Sequence, residues 1–224
     1  MTHYEGIEKP RSPTFNPNPC FFIFLSICPE IIWMVPFEWI EVDLPKGEHK
    51  KPEFIANNPF GQVPTIDDDG FVMYESRAIA RYLDEKYPNQ GTQLFPKDLQ
   101  RRALVDQATW AELFHFYRHG VRILFEVLNK RFFGLEANLT AVEEAKKDLL
   151  AKMDIYEGIL SKQKYLTGDE LTLADIVHIP VASRLVEEAD VDLGGGRPNV
   201  QRWLNELVSR ESWQKVKPIF RNGS

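Results

Sequence analysis

The chain has 224 residues, 43% of them hydrophobic, and a formal net charge of −6. That is enough apolar content for a sizeable core, and the acidic balance, with no basic tail or stripe, excludes a nucleic-acid binder, whose phosphate contacts need clustered Lys and Arg. Cys20 and Cys28 form no CxxC pair and no His cluster stands at ligand spacing, so neither a disulfide framework nor a zinc site is expected, and a reducing, cytoplasmic setting without a metal fits best.

The first segment, CFFIFLSICPEIIWMVPFEWI (20–40), is strongly apolar, with Lys9 and Arg11 upstream of it. Pro29, Glu30 and Pro36 argue against a membrane-spanning helix, because prolines leave backbone groups unpaired and a charge in hydrocarbon is costly. Pro10, Pro13, Pro17 and Pro19, with Pro29 where cleavage would fall, argue against a signal peptide. A buried strand is the expected reading. FEWIEVDL (37–44) alternates as a half-buried strand does, and VPTI and FVMY flank DDDG, a hairpin turn whose Gly70 can take positive φ. Residues 75–86 then place Ala78, Ile79, Tyr82 and Leu83 on one helical face.

After the linker PNQGTQLFPKD (88–98) the pattern is helical throughout. Residues 99–133 contain no proline and a single glycine, Gly120, and present Leu104, Ala108, Ala111, Leu113, Tyr117, Val121, Leu124 and Leu128 at helical spacing. Thr140 with Glu143 makes a capping box that opens another helix, and Thr172 with Asp175 makes a variant of it before IVHIPVASRL. A final helix over 200–208 follows the break GGGRPN. The expected fold is α/β plus all-α: a small α/β domain, then a helical one.

The stretch NPFGQVPTIDDDGFVMYESRAI (58–79) reads as one wall of a binding site. A proline in a strand cannot donate to the ladder, and a cis bond before Pro64 would turn the N–H and C=O of Val63 outward, free to pair with a passing peptide. Twelve residues on, Glu75 and Ser76 open a helix, where unpaired N–H groups and a hydroxyl favour a carboxylate and the Glu75 side chain suits an ammonium. Upstream, in KGEHKKPEF, His49 and Lys50 can supply cations to a second carboxylate. Each residue alone has a structural explanation, as an N-cap, a dipole partner or an edge-strand proline. Their joint spacing points to an extended ligand with an ammonium and a carboxylate at one end and a peptide bond in its middle.

LPKGEHKKPEFIANNPFGQVPTIDDDGFVMYESRAIARYLDEKY closely resembles the glutathione-binding half of glutathione transferases, most like the phi class, and LTLADIVHIP (171–180) resembles that family's later helix-capping motif. The resemblance implies a thioredoxin-like N-terminal domain, incomplete or distorted before Val35, followed by an all-helical C-terminal domain. It divides the chain into an aberrant segment (1–34), the remaining glutathione-binding domain (35–87), the linker (88–98) and the helical domain (99–222). It also implies that His49 and Lys50 hold the glycyl carboxylate of glutathione, that Val63 pairs with the cysteinyl backbone beside Gln62 and a cis-Pro64, and that Glu75 and Ser76 hold the γ-glutamyl end. An apolar electrophile would lie against the helical domain, with Trp110, Phe114 and Tyr117 as candidate wall residues. A homodimer, glutathione as co-substrate, no metal and a detoxifying conjugation follow from the same resemblance. The alternatives are a glutathione-binding module without turnover and a cysteine-type thiol oxidoreductase.

One part is missing from the resemblance. The family's thiolate-stabilising residue, a serine in the phi class, follows a first strand and opens a helix, and the residues before VPFE (35–38) do not resemble that arrangement. Either residues 21–27 form the strand, with Ser26 or Cys28 as the site residue and a stub of helix over 30–34, or residues 1–34 are foreign to the fold. The stub would cover barely one turn and leave apolar surface open, which favours the second reading.

Overall fold

The computed structural model describes residue 38 and residues 40–222. A turn over 43–47 leads through a 3₁₀ turn, Glu48–Lys50, into helix α1, Pro52–Asn57. Strands β1, Thr65–Asp68, and β2, Phe71–Tyr74, then pair antiparallel, with Thr65 opposite Tyr74 and Asp68 opposite Phe71. Asp69 and Gly70 take φ of 54° and 88°, the two positive values that a two-residue hairpin loop needs to match strand twist. A four-residue ladder is marginal by itself, and helix α2, Ser76–Lys86, covers it. Asp68 accepts hydrogen bonds from both Tyr82 Oη and Lys86 Nζ, and the Tyr82 and Phe71 rings meet at 5.3 Å.

Two expectations for this half are corrected. The alternating segment 37–44 forms no strand among the described residues: Ile40 is 75% exposed, and Asp43 and Leu44 are consumed by the turn. Asp43 O and Leu44 O accept from Glu48 N and Gly47 N, and the Asp43 carboxylate accepts from Lys46 N. Alternation makes a strand only where a ladder partner exists. In α2 the buried face holds Ile79, Ala80 and Leu83, with Ala78 exposed. The face is rotated because Asp84 is drawn inside, where it accepts Leu94 N at 2.7 Å and Phe95 N at 3.1 Å.

The second half is helical. Helix α3 runs over 99–132, opened by Asp98, whose carboxylate accepts from Arg101 N, and interrupted by π-helical turns at Leu113–Tyr117 and Phe125–Asn129. Its buried face carries Val105, Thr109, Glu112, Phe116, Gly120, Ile123 and Leu124, whereas Leu104 is half exposed. The expected stripe lies next to the true one, because polar Thr109 and Glu112 occupy buried positions and each π turn shifts the helical phase. Helix α4, Leu139–Leu160, is capped by Asn138, which accepts from Ala141 N at 3.1 Å. Thr140 therefore lies inside the helix rather than at its cap.

Helix α5, Leu173–Ile176, has the expected Thr172/Asp175 capping box. It is followed by α6, Ile179–Glu188, α7, Pro198–Ser209, and α8, Glu211–Asn222. Helix α7 is thus longer than expected, starting on a proline suited to a first turn, and α8 is an addition to the expected elements, its pattern being broken by Pro218. Among the described residues no helix is long and apolar enough to cross a membrane.

Buried polar groups knit these helices together. The Asp175 carboxylate accepts from Leu166 N, Thr172 N, Thr172 Oγ1 and Trp203 Nε1, all at 2.9–3.1 Å. Beside it His178 is fully buried, and burial pushes its imidazole down to about 3, so the ring is neutral. Nδ1 donates to Ala174 O at 2.8 Å, which leaves Nε2 to accept from Tyr156 Oη at 3.1 Å.

Two helical glycines differ in what surrounds them. A Cβ on Gly120 would stand 2.5 Å from Val181 Cγ1 and 3.1 Å from Leu185 Cδ1, so α3 and α6 approach there because the side chain is absent. A Cβ on Gly158 would meet nothing within 4 Å. Gly120→Ala is therefore expected to destabilise by about 1–3 kcal/mol through overpacking. Gly158→Ala is expected to stabilise by about 0.5–1 kcal/mol through helix propensity. Urea unfolding of both variants, with unchanged m values, checks the opposite signs.

Candidate functional site

The hairpin register assembles the core of the site. Because Thr65 opens β1 and its partner Tyr74 closes β2, the residues just outside the ladder, Val63–Pro64 and Glu75–Ser76, lie side by side at the open end of the hairpin. The Val63–Pro64 bond is cis. Val63 is buried, and among the described residues its N–H and C=O make no hydrogen bond. Helix α2 makes its first backbone bond from Ile79 N to Glu75 O, so the N–H groups of Ser76, Arg77 and Ala78 face outward at the helix start. Glu75 occupies the N-cap position without capping, at φ 72° and ψ 101°. That backbone is costly for a residue with a Cβ and is found where a ligand clamp requires it. Among the described residues neither its carboxylate nor the Ser76 hydroxyl is in a hydrogen bond or ion pair.

The second part of the wall is a loop folded around Asn58, a residue absent from the sequence expectations. Asn58 is 2% exposed; its Nδ2 donates to Gln62 O at 2.7 Å and to Thr65 Oγ1 at 3.3 Å, and its Oδ1 accepts from Phe60 N at 3.1 Å. These bonds hold Gln62, whose side chain is exposed, and deliver the chain to Val63. Lys50 Nζ closes the loop from the other side, donating to Phe60 O at 3.2 Å and Gly61 O at 2.9 Å. Gly61 takes φ 57°, and a Cβ there would meet His49 O at 2.7 Å and Lys50 Nζ at 3.0 Å. The His49–Lys50 turn is thus packed against the loop. Burial and the neighbouring Lys50 charge lower the His49 pKa. His49 is therefore suited to donate as a neutral imidazole. His49 Nδ1 is buried and unpaired among the described residues.

The helical half reaches the grip through Arg77, immediately after Ser76. Its guanidinium donates from Nε and Nη2 to Glu112 Oε2 and lies 5.1 Å above the Tyr117 ring. Arg81 adds a bond to Asp106 at 2.8 Å. Glu112 is fully buried, which pushes its carboxyl up to about 7 against the pull of Arg77. The expected wall residues fall on one strip of α3: Trp110 and Phe114, 60% and 57% exposed and stacked at 6.3 Å, and half-buried Tyr117 under Arg77. Burial is the main cause that raises the Tyr117 phenol's pKa, against the pull of the Arg77 charge and with smaller contributions from Glu112 and Glu75. The structure thus brings Gln62, Val63, Pro64, Glu75 and Ser76 together, with His49 and Lys50 on the loop's far side. The candidates Ser26 and Cys28 lie outside the described residues.

Comparison with known proteins gives this geometry a family. The model of the glutathione S-transferase N-terminal domain matches residues 34–86, and that of the C-terminal domain matches residues 108–211. Glutathione S-transferase F11 of Arabidopsis thaliana is 42% identical over 186 residues, covering 83% of this chain and 87% of the relative. The chain belongs to the glutathione S-transferase family. Within it the likeness is to the phi class, and the fold is a thioredoxin-like N-terminal domain followed by an all-helical C-terminal domain. Glutathione transferase F2 from Populus trichocarpa superposes with a TM-score of 0.86 at 34% identity, covering 92% of this chain and 97% of the other. A second solved transferase, glutathione S-transferase I from maize in complex with an atrazine glutathione conjugate, has a TM-score of 0.80 at 30% identity, over 89% and 92% of the two chains.

The Arg77–Glu112 contact gives this transferase a pH signature. A carboxyl whose folded pKa exceeds its unfolded value, about 4.3, holds its proton more tightly when folded. The stability it contributes is complete below that unfolded value and is lost as pH rises through about 7. Arg77→Leu strands the buried carboxylate, so a loss of about 3–5 kcal/mol is expected at pH 8. At pH 5, where Glu112 keeps its proton, the loss should be clearly smaller. Urea unfolding at the two pH values checks this, and equal losses would count against a charge on Glu112.

Proposed function

We propose that the protein is an enzyme that joins the sulfur of glutathione to apolar electrophiles. The observation that carries this reading is the juxtaposition at the open end of the hairpin, where unpaired Val63 backbone groups lie beside the Glu75 side chain and the free N–H groups of α2. Glutathione has the matching chemistry: an extended peptide, with an ammonium and a carboxylate on its γ-glutamyl end and a second carboxylate on its glycyl end. Val63 pairs with the cysteinyl backbone as an added strand, beside Gln62 and Pro64. Ser76 and the start of α2 take the γ-glutamyl carboxylate, and Glu75 takes the ammonium. His49 and Lys50 take the glycyl carboxylate. Trp110, Phe114 and Tyr117 form the acceptor wall. The relatives' names, and the atrazine glutathione conjugate in complex with the maize enzyme, support this reading over a module without turnover.

In the reaction the thiol loses its proton, the thiolate forms a C–S bond to the electrophilic carbon, and the leaving group departs with the bond's electrons; a chlorinated nitroaromatic releases chloride. No redox partner is required. We assign the chain to cytoplasmic detoxification, divided at the linker 88–98 into a grip-bearing domain (35–87) and a helical domain (99–222). The homodimer joins one subunit's α/β domain to the other's helical domain, a reading that rests on the family likeness.

Ser76→Ala is expected to weaken glutathione binding by about 1–2 kcal/mol, because the carboxylate loses one donor while the helix start remains. Calorimetric titration reads this directly, and an unchanged Kd would remove Ser76 from the site. Glu75→Gln should weaken binding as well. Conjugation of a chlorinated nitroaromatic above the uncatalysed rate is expected of the full chain. Background turnover with intact binding would favour the binding module. In the same assay Ser26→Ala reads a thiolate partner, and a disulfide-exchange assay of Cys28→Ser reads a cysteine-type activity.

A further inference from the structure

At the seam between the two halves one carboxylate is only half satisfied. Glu112 is fully buried; its Oε2 accepts from both Nε and Nη2 of Arg77, whereas its Oε1 is buried and has no hydrogen-bond partner among the described residues. Arg77 is the one cation paired with it among those residues. The titratable groups around it supply no further donor. Tyr117 on α3 has its ring 5.1 Å from the Arg77 guanidinium. Tyr156 on α4, whose phenol is raised by burial first and by the Glu112 charge second, gives its hydroxyl to His178 Nε2. His178, between α5 and α6, is kept neutral by burial. On the buried face of α3, Thr109 Oγ1 is committed to Val105 O at 2.8 Å. The remaining acid near Arg77, Glu75, is exposed at the start of α2.

A buried carboxyl with one cation and one bare oxygen is balanced between its two forms, because desolvation favours the neutral acid and the guanidinium favours the anion. Burial prevails far enough to raise Glu112 to about 7. The balance reaches the grip because Arg77 directly follows Ser76 and its side chain stays 22% exposed. An ionised Glu112 cancels much of the Arg77 charge. Once Glu112 is protonated, that charge stands uncompensated beside the N–H groups at the start of α2, and an incoming carboxylate is held more firmly. Linkage makes the effect reciprocal, so a carboxylate bound at Ser76 strengthens the hold of Glu112 on its proton. On the reading of Ser76 and the start of α2 as the γ-glutamyl grip, we propose that Glu112 is a proton-linked positioning residue, which acts through Arg77 to tighten the hold on the γ-glutamyl carboxylate when protonated and to loosen it when ionised.

The test is calorimetric titration of the full chain with S-hexylglutathione, which has no free thiol and so adds no thiol ionisation of its own. Titrations at pH 7 in buffers of different ionisation enthalpy count the protons exchanged. The expected result is a net uptake of about 0.3–0.5 proton per ligand and a Kd that rises about three- to tenfold from pH 6 to pH 8. Glu112→Gln, the neutral isostere, should lose both the uptake and the pH dependence and bind at pH 8 about threefold more tightly than wild type. Loss of a merely structural contact would instead weaken binding. His49→Gln, which removes the other titrating group of the grip, should keep both signals, and with wild type it decides the matter should Glu112→Gln fold poorly by circular dichroism. Binding without proton uptake, a Kd that is flat between pH 6 and pH 8, an unchanged pH profile in Glu112→Gln, or loss of the uptake in His49→Gln would overturn the proposal and leave the grip standing. No binding at any pH would overturn the grip and the proposal together.

Discussion

The pairing of Arg77 with Glu112 is the contact on which the arrangement of the site depends. It joins the first turn of α2, next to Ser76, to the middle of α3, where Trp110 and Phe114 stand. A fully buried carboxylate is tolerated because the guanidinium reaches it, and the guanidinium is in turn oriented by the Tyr117 ring. Such a pair adds little net stability compared with an apolar replacement of equal shape, but it is severe to break on one side only. Its value is therefore positional. It fixes the height of Ser76 relative to Trp110 and Phe114 more sharply than non-directional apolar packing would.

A second series of polar contacts runs from the other end of α2. Asp84 holds the backbone of Leu94 and Phe95, Leu94 O accepts from Leu173 N, and Leu173 follows the threonine whose capping box is completed by Asp175. Asp175 then reaches Trp203 in α7. The linker is thus tied by its backbone at both sides, and the two halves of the molecule share buried carboxylates as well as apolar surface. Asp84 and Asp175 are each satisfied by several donors, the condition under which burying a polar group specifies one arrangement rather than merely costing stability.

What was legible in the sequence was local. The DDDG turn, the cis bond before Pro64, the helix start at Ser76 and the Thr172/Asp175 box are each written within a few adjacent positions, and each is found where those positions place it. What was not legible required knowledge of a distant partner. Arg77 and Glu112 are separated by 35 positions, and Glu112 on the buried face of α3 displaced the apolar stripe that periodicity would select. Asn58 looks like an ordinary turn residue until its amide is seen joining Phe60, Gln62 and Thr65. The segment 37–44 has a strand's alternation without a ladder partner among the described residues, and Pro218 concealed α8.

The backbone of Glu75 has a consequence for engineering. At φ 72° a glycine would sit with less strain, so a screen that rewards heat resistance alone should accept Gly at this position. The carboxylate would be discarded without any penalty visible to the screen. Laboratory evolution of this scaffold therefore has to select for ligand retention in every round, because a position where glycine relieves backbone strain is also one whose carboxylate stands at the open end of the hairpin.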